Sequence, residues 1–157
     1  MQTPSFMVKR LGPSDVDLMH GMLTVLGEAF EEVETYGRAR PSAAYFGRLL
    51  SGDSFIALVA MDDGKVVGGL AAYELRKFEQ ERSELYVYDL AVASAHRRRG
   101  IATGLIRELQ RLGAERGAYV MFVQADHGDD PAIALYTSLG TREDVLHFDI
   151  PVDRQAR

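Results

Sequence analysis

Asp89-Leu90-Ala91-Val92-Ala93-Ser94-Ala95-His96-Arg97-Arg98-Arg99-Gly100-Ile101-Ala102-Thr103 reads as an apolar strand that runs into a short turn and then opens a helix. The turn ends in Arg-x-x-Gly-x-Ala, residues 97–102, and the helix behind it carries Ile101, Leu105, Leu109 and Leu112 on one face. A helix start presents backbone N–H groups that have no intrahelical partner, and the macrodipole adds positive potential there. Strand, turn and helix N-terminus together make a pyrophosphate seat that uses no P-loop lysine. Small residues at Gly100 and Ala102 are expected to let the backbone approach the phosphates.

Working outward, residues 14–30 form an amphipathic pattern, with Val16, Met19, Leu23, Leu26 and Phe30 at helical spacing and Ser14 or Asp15 as cap. An acidic stretch runs from Glu28 to Glu34, and a second short helix fits Ser42 to Leu50. Phe55 to Ala60 and Val66 to Leu75 are strands joined at Asp62-Asp63-Gly64-Lys65, which predicts a hairpin. Lys77 to Ser83 reads as a loop, Glu84 to Val92 as a strand rich in β-branched and aromatic residues, and Tyr119 to Ala125 as a buried strand. Asp126 to Asp130 is an acidic loop, Asp130 and Pro131 open a helix that ends at Leu139-Gly140, and Asp144 to Ile150 is a final strand. This order predicts an α/β fold, a mixed central sheet with helices on both faces, in one domain over residues 1–157 with its core at about 8–150.

At 157 residues and 46% hydrophobic, the chain can bury a core of that kind. A net charge of −5 argues against nucleic acid, even with Arg97-Arg98-Arg99 in the turn. There is no cysteine, so disulfides, thiolate zinc sites and a cysteine nucleophile are excluded. The histidines show no metal-ligand spacing, so no metal is expected; no apolar run reaches membrane-span length, and a cytoplasmic location is the expectation.

With Arg97, Gly100 and Ala102 in place, the chain resembles the GCN5-related N-acetyltransferase (GNAT) family, whose signature is Arg/Gln-x-x-Gly-x-Gly/Ala. A second block, Asp130-Pro131-Ala132-x-Ala134-Leu135-Tyr136-x-x-Leu139-Gly140, matches that family with Asp130 where Asn is common and Thr141 where Phe is common. The resemblance implies the GNAT fold and acetyl-CoA. It implies that N–H groups of Arg98, Arg99, Gly100, Ile101, Ala102 and Thr103 cradle the pyrophosphate beside Arg97. Leu90 and Val92, flanking Ala91, would pair their backbones with the pantetheine arm as an added strand does. Asp130, Ala132 and Tyr136 are expected at the coenzyme as well.

Acetyl transfer to an amine needs a base for the ammonium and an acid for the departing thiolate. Asp89 is the candidate base, because a carboxylate within Tyr86-Val87-Tyr88-Asp89-Leu90-Ala91-Val92 is costly unless it is paired or lines a cleft. A structural hydrogen bond at Asp89, or Glu84 as base, are the competing readings. Tyr136 is the candidate acid, matching the position of the family's acid tyrosine; packing of its helix on the sheet is the alternative. His20 is a weaker candidate to line the acceptor cleft.

Carboxylates cluster at Glu28 to Glu34, at Glu79, Glu81 and Glu84, at Asp126, Asp129 and Asp130, and at Asp144 and Asp149. Several such clusters around one cleft would steer a polycationic amine. Lys77-Phe78-Glu79-Gln80, Arg82-Ser83-Glu84, Tyr86 to Val92, Gly117-Ala118-Tyr119-Val120, Val123-Gln124-Ala125-Asp126, Gly128 to Ala132 and His147-Phe148-Asp149-Ile150 resemble the aminoglycoside 3-N-acetyltransferase type I (gentamicin acetyltransferase) family. That resemblance runs from about Leu11 to Ile150. It implies acetylation of the 3-amino group of the deoxystreptamine ring, hence antibiotic resistance, and a homodimer. Glu79, Glu84, Asp89, Asp126, Asp129 and Asp149 are the expected acceptor contacts. A polyamine or peptide-amine acetyltransferase, or a non-catalytic acyl-CoA sensor, are the alternatives.

Overall fold

The computed structural model describes residues 5–153, which fall into two compact units, one running to Gln124 and the other beginning at Ala125. The first unit holds a five-stranded sheet in the order β1 (Met7–Arg10), β2 (Phe55–Asp62), β3 (Lys65–Arg76), β4 (Ser83–Val92) and β5 (Ala118–Val123). Neighbours are antiparallel except β4 and β5, which are parallel and joined through the long helix α4 (Ile101–Arg116). Helices α1 (Val16–Ala29), α2 (Val33–Gly37) and α3 (Ala43–Ser51) lie between β1 and β2 in the chain. The expected mixed sheet flanked by helices is present.

Two consecutive glycines in β3 show how the layers close on the sheet. Successive residues of a strand face opposite sides. A Cβ on Gly68 would meet Ile101 of α4 at 3.0 Å, whereas one on Gly69 would meet Met22 of α1 at 2.4 Å. Bare backbone there lets both helices lie close, one on each face. On the α1 and α3 side, Met19, Met22, Leu26, Phe46 and Leu50 pack with Phe55, Ala57, Val59 and Ala71. On the α4 side, Ile101, Leu105 and Leu109 are buried, and Gly113 lets Leu85 approach to within 2.9 Å of where its Cβ would stand. Each fully buried Leu or Ile contributes about 1.5–3 kcal/mol.

Local chemistry sets the element ends. Asp63 and Gly64 both have positive φ, 50° and 75°, the pairing a tight two-residue hairpin turn requires. Ser42 caps α3 by accepting the Tyr45 N–H, and Gly117 ends α4 in the left-handed region at φ 80°. Asp15 precedes α1 without capping it; its carboxylate accepts the Gly12 N–H at 2.8 Å and pairs with Lys9 at 3.0 Å. Near the end of β3, Glu74 is buried and accepts from Ser83, the first residue of β4, at 2.7 Å and from Arg116 at 2.7 and 3.0 Å.

Four elements differ from the sequence expectation. β1 and α2 are extra; both are too short to show a clear hydrophobic period. Among the described residues β5 is an edge strand with one partner, and Tyr119, Val120 and Phe122 are exposed on it, so it is not the buried strand its composition suggests. The final strand, Asp144 to Ile150, does not form. The second unit contains α5 (Asp130–Leu139) and no strand among its described residues, so the segment has no ladder there to join; Leu146, Phe148 and Ile150 are exposed. In α5 the cap is Asp129, whose side chain accepts the Ala132 N–H, one residue earlier than expected.

Candidate active site

β4 has two different stretches. From Ser83 to Val87 it lies between β3 and β5, and its pairing with β5 ends at Val87 opposite Val123. From Asp89 to Val92 it stays on β3, with Asp89 opposite Ala71 and Val92 opposite Gly68, and has no strand on the other side among the described residues. The Ala93 N–H donates to the Val67 carbonyl at 2.8 Å. Hydrogen-bonded pairs alternate along an antiparallel ladder, so Ala91 and Asp89 bond toward β3 while Leu90 and Val92 turn their N–H and C=O to the free edge. Those are the two residues expected to pair with an extended arm.

The chain then passes through a 3₁₀ turn, Ser94–His96, to the helix start. Arg98 and Gly100 both adopt left-handed backbone, at φ 62° and 77°. Gly100 is the N-cap of α4 and provides no side-chain cap; the first intrahelical bond runs from the Gly104 N–H to the Gly100 carbonyl at 2.9 Å. The N–H groups of Ile101, Ala102 and Thr103 therefore open on the turn. A Cβ on Gly100 would meet nothing within 4 Å, so within the chain the glycine is needed for its φ and not for space. The Arg99 guanidinium is turned back onto the fold, with Asp62 at 2.8 Å, His96 at 2.6 Å and Ser5 beside it, and the Arg97 Nε reaches the Val92 carbonyl at 3.4 Å. The seat is thus built of backbone, and Arg98, exposed like Arg97, has no such tether among the described residues.

Beside it, Asp89 is half-buried at a bulge. Ala71 and Ala72 of β3 face Asp89 and Val87, which leaves Tyr88 as the extra residue. Tyr36 of α2 donates to Asp89 Oδ2 at 2.9 Å. Burial raises the Asp89 pKa above the ordinary carboxylate value, the Tyr36 bond opposes that, and the charge of Glu32 adds to the rise. Burial and then the bond to Asp89 push the Tyr36 phenol well above its ordinary value. Next to this pair runs an aromatic row across four strands: Phe55 to Tyr73 at 5.2 Å, Tyr73 to Tyr88 at 5.9 Å, Tyr88 to Tyr86 at 5.7 Å, and Tyr86 stacked on Phe122 at 4.6 Å. Tyr73, Tyr88 and Phe122 remain exposed.

The other expected site residues are placed as follows. Glu84 accepts from Tyr119 at 2.6 Å and pairs with Lys77 at 3.3 Å, which also meets Glu79 at 3.4 Å. It stands five residues before Asp89, about 16 Å along the strand at ~3.3 Å per residue, engaged in holding the strand start. His20 packs edge-on against Phe46 and meets Arg40 at 3.2 Å. In the second unit, Tyr136 is half-buried on α5, and burial followed by the Asp129 charge raises its phenol above the ordinary value. Asp130 and Ala132 lie in the first turn of α5, and Asp126 and Asp149 are exposed, the latter 2.8 Å from His147. Sequence reading missed Tyr36 and the aromatic row. Tyr36 lies in the acidic stretch with no periodic signal, and the alternating aromatics of β4 read simply as strand.

Residues 20–141 match the acetyltransferase (GNAT) family. The chain belongs to that family. GNAT acetyltransferases use acetyl-CoA, and the uncapped helix start with the free β4 edge fits its pyrophosphate and pantetheine. A crystal structure of the aminoglycoside acetyltransferase HMB0005, from an uncultured soil metagenomic sample, is 64% identical with a TM-score of 0.93, covering 95% of this chain and 99% of that one. Another soil metagenomic aminoglycoside acetyltransferase, meta-AAC0020, solved in complex with sisomicin, is 30% identical with a TM-score of 0.87, covering 95% and 97%. N-acetyltransferase family 8 member 2 of Rattus norvegicus is 30% identical over 90 residues, 57% of this chain; the match spans 40% of that longer relative. Among the described residues of this GNAT chain, no helix is long and apolar enough to cross a membrane.

Proposed function

We propose that this acetyltransferase acetylates the 3-amino group of the deoxystreptamine ring of aminoglycosides, with Asp89 as base and Tyr136 as acid, and that it confers resistance as a cytoplasmic homodimer. The observation that carries the reading is the half-buried Asp89 carboxylate, set at a bulge directly beside the free edge of β4. A coenzyme arm paired with Leu90 and Val92 would deliver its thioester next to that carboxylate. The 64% identity to an aminoglycoside acetyltransferase supports the substrate class, and the 3-position rests on the sequence resemblance.

Acetyl-CoA supplies an activated acetyl group, whose carbon bonds to the amine nitrogen as its bond to sulfur breaks. Asp89 holds the incoming ammonium by charge and takes its proton. A raised pKa makes Asp89 a better proton acceptor than an ordinary surface carboxylate. Tyr136, with its pKa raised, keeps its proton at neutral pH and gives it to the thiolate. The open α4 N–H groups would hold the pyrophosphate. Tyr73 and Tyr88 offer aromatic faces to the apolar faces of the sugar rings. Glu79 and Glu84 are engaged with Lys77, so the exposed acidic stretch around Glu32 is better suited to draw in the polycation, with Asp126, Asp129 and Asp149 as proposed further contacts.

The test is thiol release from acetyl-CoA with gentamicin, spermidine and a lysine peptide, followed by NMR of the product. Turnover of gentamicin with acetyl at N3 is expected. Turnover of spermidine or peptide with none of gentamicin overturns the substrate class. Acetyl at another nitrogen overturns the position, and tight acetyl-CoA binding with no turnover of any amine overturns the enzyme in favour of a sensor.

A further inference from the structure

We infer that Tyr36 is the positioning residue of the acceptor side: its phenol holds one oxygen of Asp89 and leaves the other aimed at the incoming amine. This rests on the reading of Asp89 as base. The bond from Tyr36 to Asp89 Oδ2, at 2.9 Å, is the side-chain hydrogen bond the carboxylate makes among the described residues, so Oδ1 is left for the ammonium. A carboxylate held at one oxygen cannot spin its second oxygen away from the edge where the thioester arrives, and such fixed geometry is what proton transfer at a reacting centre needs.

Helix α2 is built around this contact. It is five residues long, far below the length at which a helix is stable by itself, and it buries none of them fully. Several devices pin it nonetheless. Glu31 takes a positive φ of 55°, and the Glu32 N–H returns to the Gly27 carbonyl at 2.8 Å, which folds α2 back on α1. Gly27 has no Cβ; one placed there would stand 3.0 Å from the Tyr36 Cβ. Arg40 donates to the Tyr36 carbonyl at 2.9 Å and to Thr24 of α1 at 2.9 Å, and Phe30 packs on the Tyr36 ring at 5.9 Å. Every one of these fixes where Tyr36 stands.

The groups coupled electrostatically to Asp89 are Tyr36 and Glu32 from the α2 segment, Tyr73 from β3, and Tyr86 from β4. The tyrosines are neutral at working pH. Tyr36 and Glu32 therefore act on the Asp89 proton in opposite directions: the hydrogen bond favours the ionised carboxylate, and the second negative charge disfavours it. Removing Tyr36 must raise the Asp89 pKa, and removing the Glu32 charge must lower it.

The experiment measures kcat/KM for gentamicin against pH, at saturating acetyl-CoA, in the wild type, Tyr36→Phe and Glu32→Gln. The acidic limb is expected to move up by roughly half to one pH unit in Tyr36→Phe and down by less than that in Glu32→Gln. The acceptor's own amines titrate alike in all three proteins. Damage to folding would lower the plateau without displacing the limbs in opposite directions, and the unfolding temperature and acetyl-CoA affinity of each variant check it independently. Limbs that stay in place, or move the same way, overturn the inference. Asp89→Asn separates the two readings. If it abolishes turnover while the Tyr36→Phe limb is unmoved, the role of Tyr36 falls and the base stands; if it turns over like the wild type, both fall.

Discussion

The two halves of the proposed site are made of different material. The donor half, from Leu90 to Thr103, consists of backbone: an unpaired strand edge, two left-handed residues and the open N–H groups of α4. The acceptor half consists of side chains brought from segments far apart in sequence, with Tyr36 meeting Asp89 across 53 positions and the aromatic row crossing four strands. A backbone seat serves one invariant ligand part, the pyrophosphate and pantetheine, and tolerates varied side chains. An acceptor pocket of side chains can be retuned residue by residue. Substitutions in the two halves should accordingly fail differently, donor-half changes in coenzyme affinity and acceptor-half changes in turnover.

The sharpest break is Asp89→Asn. Asparagine keeps the shape and can still accept the Tyr36 hydrogen bond, so the fold and the acetyl-CoA affinity by calorimetry should hold. Turnover should fall about 10²–10⁴-fold, the usual worth of a general base. A large loss of coenzyme affinity instead would mean that the halves are not separable.

Next comes Gly69→Ala, at the point where α1 rests on β3. Its Cβ would lie 2.4 Å from Met22 Cγ, and Met22 is 1% exposed, so α1 or the Met22 rotamer must shift. Overpacking of this kind costs about 1–3 kcal/mol, readable as a lower urea midpoint. Because α1 carries α2 and hence Tyr36, the loss should appear in kcat/KM for the amine before it appears in acetyl-CoA affinity.

Legibility followed the same division. Arg97-x-x-Gly100-x-Ala102 is a local pattern with a local physical cause, a left-handed cap opening a helix, and it could be read directly. The hairpin at Asp63-Gly64 was legible for the same reason. Asp89 stood out because a carboxylate inside a strand needs an explanation, but its partner did not, since nothing in Val33-Glu34-Thr35-Tyr36-Gly37 has a period or a motif. Alternation at Asp144 to Ile150 gave a strand pattern without revealing that a strand exists only where a neighbour pairs it. Glu84 looked like a substrate-facing carboxylate, and only the fold showed Tyr119 and Lys77 holding it.

Gly100→Val tests why the donor seat needs glycine. Sequence reasoning attributes it to close approach of the phosphates. The structure shows open space within the chain and a φ of 77°, where a β-branched residue is strained. A strain of about 1–2 kcal/mol predicts roughly 5- to 30-fold weaker acetyl-CoA binding. Asparagine tolerates this backbone region, so Gly100→Asn should recover most of that loss if conformation is the cause. If Asn binds as weakly as Val, contact with the phosphates is the reason.

The smallest effect, and the one that most sharpens the contrast, is expected from Arg99→Ala. An arginine in a phosphate turn looks like a phosphate grip, yet this guanidinium is turned to Asp62 and His96. A partly exposed ion pair of this type contributes about 1 kcal/mol or less, so the unfolding temperature should drop slightly. Coenzyme affinity should fall only about twofold to fivefold, through a slightly looser turn, within the ~1 kcal/mol that tenfold arithmetic allows. The salt dependence of binding should keep its slope, since no phosphate contact is lost. A loss of tenfold or more together with a shallower salt dependence would put Arg99 on the phosphate. The donor half would then be a mixture of backbone and side chain, and its difference from the acceptor half one of degree.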